Sequence, residues 1–82
     1  MKACIFGHPV NTFTVSIMNE ITTNDLLNPV AEKACFYDDV LNFLKQYDLD
    51  EVVMIGNANY FSKLKESVEK YLDVPVTIDE GR

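Results

Sequence analysis

The ten residues Glu51-Val52-Val53-Met54-Ile55-Gly56-Asn57-Ala58-Asn59-Tyr60 decide how this chain folds. Val52, Val53, Met54 and Ile55 form an unbroken apolar run, too short for a helix and without polar alternation, as a strand covered on both faces requires. It is the best candidate for a central strand of a sheet. Gly56 ends the run, and Asn57 or Asn59 offers the side-chain oxygen that caps a helix start. The helix that follows carries Phe61, Leu64, Val68, Tyr71 and Leu72 on one stripe and Lys63, Lys65, Glu66, Glu69 and Lys70 outside it. Asp73 ends it. Val74, Val76 and Ile78 then alternate as a further strand, and Pro75, which lacks a donor, places that strand at an edge.

Toward the N-terminus, residues 2–6 are a short apolar run closed by Gly7-His8-Pro9, and Phe13, Val15 and Ile17 alternate with Thr12, Thr14 and Ser16. This predicts a β-hairpin whose second strand is half-buried, its Thr and Ser face toward water. Residues 20–28 are rich in turn and capping types. Asn28-Pro29 reads as an N-cap with proline at the first helical position, and Val30, Ala34, Tyr37, Leu41 and Leu44 recur at helical spacing. One long helix through Tyr47 is the first expectation. The alternative breaks it into a third strand near residues 30–36 and a shorter helix opened by Asp38-Asp39, acids that suit a first turn. The expected order is ββαβαβ, a single small α/β domain over residues 1–82 with a mixed sheet and helices packed on it.

Composition supports one core and excludes several functions. A chain of 82 residues, 48% hydrophobic and 24% charged, has the balance of a folded domain and is too short for two. A net charge of −6 with only seven Lys and Arg argues against direct nucleic-acid binding, which needs clustered cations to neutralise phosphates. No window is apolar enough for a membrane span, and the start lacks the pattern of an export signal. A cytoplasmic protein with reduced Cys4 and Cys35 is expected. With His8 as the single histidine, no zinc cluster of the usual paired spacing can form, and no cofactor is expected.

A leading hairpin followed by two strand–helix crossovers resembles the ribonuclease H-like fold, which nucleases, resolvases and actin-like ATPases share. The resemblance runs most clearly through Glu51-Val52-Val53-Met54-Ile55-Gly56, the amphipathic helix and Val74-Pro75-Val76-Thr77-Ile78. It implies a third strand after the hairpin. The family's nucleases hold a metal with an acid on the first strand, where this chain has Ala3-Cys4-Ile5-Phe6, and its actin-like members set an Asp before a glycine, where this chain has Phe6 before Gly7. No active-site residue carries over.

Ligands of α/β sheets sit beyond the carboxyl ends of parallel strands, beside helix N-termini. Were the first strand to lie beside residues 52–55, the loops Gly7-Pro9 and Gly56-Tyr60 would share that edge. His8, Asn57, Asn59 and Tyr60 would then meet free helical N–H groups and could hold a phosphate, a carboxylate or a small polar ligand. Turn and cap chemistry accounts for the same residue types. A thiol nucleophile would need His8 beside Cys4 or Cys35, and small buried side chains are the simpler reading of both. Asp38, Asp39, Asp48, Asp50, Glu51, Asp79 and Glu80 fit a solvated acidic surface, or a mimic of nucleic-acid phosphates that inhibits a DNA-binding protein. Tyr37, Tyr47, Tyr60, Tyr71, Phe36, Phe43 and Phe61 exceed what so small a core absorbs, and exposed aromatics favour protein contact. The expected function is a non-catalytic interaction module that binds another protein or itself, with the small-ligand site and the acidic inhibitor as alternatives.

Overall fold

Strand β1 (Lys2–His8) pairs in parallel with β4 (Glu51–Ile55), setting Cys4 opposite Val53 and Phe6 opposite Ile55. This brings the two glycine loops to one edge of the sheet, as the ligand-site reading required. The computed structural model describes residues 1–80; Gly81 and Arg82, which the single-domain reading includes, lie outside the described residues. A five-stranded mixed sheet runs β3-β2-β1-β4-β5, with β2 (Thr12–Met18) antiparallel to β1 and to β3 (Ala31–Phe36), and β5 (Val76–Asp79) parallel to β4. Three helices complete the order: α1 (Thr23–Leu27) before β3, α2 (Tyr37–Leu44) after it, and α3 (Ala58–Leu72) between β4 and β5. The domain is α/β, and β5 holds the edge that Pro75 predicted.

The main core lies between one sheet face and α2 with α3. Ala3, Ile5, Phe13, Val15, Ile17, Val52 and Met54 project from the strands to meet Val40, Phe43 and Leu44 of α2 and Phe61, Leu64 and Val68 of α3. Each of these side chains is all but removed from water. Removal of that much apolar surface from water is the main force holding the domain together.

The single long helix does not form. Its first half is β3, and the helix begins only at Tyr37, with Asp38 and Asp39 in its first turn as the alternative reading had it. The physical reason is the outer edge of β2, whose backbone groups would otherwise stand unpaired beside a strand buried along most of its length. Residues 31–36 pair with 12–17 there, and the Val30 N–H donates to the Ile17 carbonyl at 2.7 Å. Asn28 ends α1 as its C-cap and starts nothing.

Two further expectations are corrected by burial. Ser16 is buried rather than facing water, its hydroxyl donating to the Glu32 carboxylate at 3.1 Å. Strand β4 is fully covered only on the Val52 and Met54 face, while Val53 and Ile55 are half-buried on the other. That second face carries just the five-residue α1 and its flanking loop. Among the described residues no helix is long and apolar enough to cross a membrane.

Candidate functional site

Gly7, His8 and Pro9 face Gly56, Asn57, Tyr60 and Phe61 across a cleft of about 270 Å3 at the carboxyl edge of β1 and β4. Three of the four expected ligand residues, His8, Asn57 and Tyr60, therefore come together. Asn59 does not. It lies on the first turn of α3 and lines a separate groove toward Phe36 and Lys63.

The N–H groups of the first three helical residues in this cleft are already engaged, contrary to expectation. Asn57 is the N-cap, its side-chain oxygen accepting from the Asn59 N–H at 2.8 Å and the Tyr60 N–H at 3.4 Å. The Ala58 N–H donates to the Glu80 carboxylate at 2.8 Å. Two side chains of the protein itself thus complete the α3 terminus, where an anionic ligand would have been held.

The remaining groups are equally engaged. His8 Nε2 shares a hydrogen bond with the Thr14 hydroxyl at 2.8 Å, and the Tyr60 phenol donates to the backbone carbonyl of His8. Ring packing accounts for both glycines. A Cβ at Gly7 would stand 2.8 Å from Tyr60 Cε1, and one at Gly56 would stand 2.9 Å from Phe61 Cε2. Gly56 also adopts φ +145°, where an L side chain is strained. The absent Cβ atoms make room for Tyr60 and Phe61, which stack about Phe13 at centroid distances of 5.4 and 5.8 Å.

Both thiols are set apart from the His8 imidazole. Cys4 is fully buried four residues from His8 on the same extended strand, about 13 Å away by strand geometry. Cys35 sits opposite Phe13 on the helix-covered face, while His8 projects from the other. Burial raises the Cys35 pKa above its ordinary 9.0, with Asp39 adding and Lys33 opposing, so the nucleophilic thiolate is disfavoured. Among the described residues no three His, Cys, Asp or Glu side chains converge as metal ligands would.

What stands out is the neighbouring groove of about 720 Å3, bounded by the hairpin tip, the β3–α2 junction and the first turns of α3. Val10 is 85% exposed, Phe36 64% and Tyr60 37%, with Asp38 and Lys63 on the rim. The hairpin turn is not made by Gly7, which belongs to β1, but by Val10 at φ 63° and Asn11 at φ 56°. Asparagine visits this left-handed region readily; a β-branched valine does not. The surplus of aromatics pointed to exposed rings, but no local pattern marked Val10 as left-handed. Comparisons with family models, curated proteins and solved structures find no match to this chain.

Proposed function

We propose that this domain is a non-catalytic interaction module that binds another protein or a second copy of itself through the groove of Val10, Phe36 and Tyr60. The observation that carries the reading is an exposed valine in a left-handed turn beside an exposed phenylalanine. Neither is repaid by packing in the isolated chain, and both are the kind of side chain that anchors an interface. Asp38 and Lys63 give the rim both signs, so a two-fold contact can set the acid of one copy against the lysine of the next. The filled helix terminus supports this reading over a small-ligand site. The presence of β3 supports the ribonuclease H-like resemblance, and the chain would then be a member without the family's metal-holding acids.

The test is molar mass by light scattering over a concentration series, for the parent and for Phe36→Asp. Self-association that the substitution abolishes is the expected result. A hetero-partner is read instead by a photo-crosslinking residue at position 36 in living cells. A parent that stays monomeric and yields no crosslinked protein refutes the proposal.

A further inference from the structure

The half-covered side of β4 is where sequence and structure disagree most, and the disagreement has a direction. An unbroken apolar run is what a strand needs when layers lie on both of its faces. Here α2 and α3 supply one layer, and α1 shields only the β2 side of the other face, leaving Val53 and Ile55 half-exposed. They floor a groove of about 380 Å3 bounded by Ile21 and Leu26 on one side and by β5, with Thr77 and Asp79, on the other.

The charges divide along the same two faces. Lys33 lies over the Phe43 ring, Lys45 and Lys70 flank Tyr71, and Lys63 and Lys65 stand on α3, all on the helical side. The groove on the open face is rimmed by Glu51, Asp79 and Glu80. Among the described residues Lys2 is the one cationic side chain on this face, and Asp50 and Glu51 hold its ammonium at 3.3 and 3.2 Å.

We infer that this open face is a docking site for a basic amphipathic helix of another protein, whose apolar stripe covers Val53 and Ile55 while its Lys or Arg residues meet Glu51 and Asp79. The inference extends the interaction reading to a second surface. A helix fits because the in-plane backbone groups of β4 are already paired with β1 and β5, so the face offers side chains alone and the occupant must satisfy its own backbone. Size agrees: a helix about 10 Å wide spans two strands about 4.8 Å apart, and about eleven residues match the length of β4, so about fourteen cover it with a margin at each end. A second copy is disfavoured, because face-to-face packing would set Glu51, Asp79 and Glu80 against their own images.

The probe is a cationic helical peptide of about fourteen leucines and lysines at amphipathic spacing, titrated into the isotope-labelled domain and followed by methyl resonances. A peptide with glutamate in place of lysine is the control. Saturable shifts confined to Val53, Ile55, Ile21 and Leu26, absent with the glutamate peptide and weakened by salt, are expected. Thr77→Arg, a substitution at an exposed position on the β5 side of the groove, should weaken the affinity at least about tenfold. The near-isosteric Glu51→Gln should weaken it about threefold, and Phe36→Asp should leave it unchanged, which separates this site from the aromatic groove. Equal binding of both peptides, shifts centred elsewhere, indifference to Thr77→Arg, or a homodimer that Thr77→Arg dissociates would each overturn the inference.

Discussion

Replacing Val10 with glycine should make the isolated domain more stable, although glycine ordinarily weakens structured backbone. Val10 sits at φ 63°, where an L residue is disfavoured by about 1–2 kcal/mol and a β-branched one falls toward the upper end. Glycine releases that strain and gives back about 0.5–1 kcal/mol through its freer unfolded state. The side chain is 85% exposed, so its truncation sacrifices only about 0.3 kcal/mol of burial. The balance is a gain of about 1 kcal/mol, or a rise of about 5 °C in Tm for a domain of this size. Val10→Asn, which tolerates the left-handed region, should move the same way. Thermal and urea unfolding of both variants, read with an unchanged m-value, measures the effect. A Tm equal to or below the parent's in both variants would refute the strain argument. If Val10 anchors the aromatic groove, the stabilised variants should also self-associate more weakly, as expected where strain is retained for function.

Further outcomes follow from the cap, the sheet faces and the thiols. Asn57→Ala should cost about 1 kcal/mol in urea unfolding through loss of the α3 cap, whereas Asn59→Ala, which caps nothing, should stay within about 0.5 kcal/mol of the parent. Val52→Asp should abolish the native circular dichroism, because Val52 is fully buried, whereas Val53→Asp, on the open face, should remain soluble and folded. Cys4 and Cys35 should resist thiol reagents at pH 8 until denaturant is added. The raised Cys35 pKa has its own signature: the unfolded thiol ionises first, so its contribution is intact below about pH 9 and declines as pH rises through the higher folded value. Cys35→Ala should blunt that alkaline loss.

The elements whose stability is local were legible in the sequence. The stripe of Phe61, Leu64 and Val68, a cap at Asn57 or Asn59 and the stop at Asp73 all follow from residue spacing and type; the structure settles the cap on Asn57 and sets Asp73 at φ 54°. The segment at residues 30–36 was not, because its state is settled by a partner far away in the chain. Val30 and Ala34 mimic a helical stripe, yet pairing with β2 decides the outcome. The site was legible in the same measure. Adjacency of the two loops followed from parallel pairing of β1 and β4, but Glu80 reaching back to the Ala58 N–H is a contact across 22 residues that no spacing rule anticipates. The glycines misled for a related reason: a glycine that admits a ring and one that admits a phosphate read alike.

The aromatic groove and the open sheet face should act independently. They share no lining residue: one is built from Val10, Phe36, Tyr37, Asn59 and Tyr60 beside the helical layer, the other from Ile21, Leu26, Val53, Ile55 and Thr77 on the opposite face. The sheet between them is hydrogen-bonded strand to strand from β3 to β5 and its main core is buried, so occupation of one groove has no loosely packed element through which to reshape the other. Charge leads to the same conclusion. Because Glu51, Asp79 and Glu80 would keep two open faces apart, self-association through Phe36 would leave each copy's open face exposed to a basic helix. Phe36→Asp and Thr77→Arg should therefore add: the double variant should lose self-association to the extent of the first and peptide affinity to the extent of the second, within about 0.5 kcal/mol of the sum. Light scattering and peptide titration on the four proteins of this cycle measure it. A coupling larger than that would mean that the two grooves belong to one continuous interface, and the assignment of separate partners would fail.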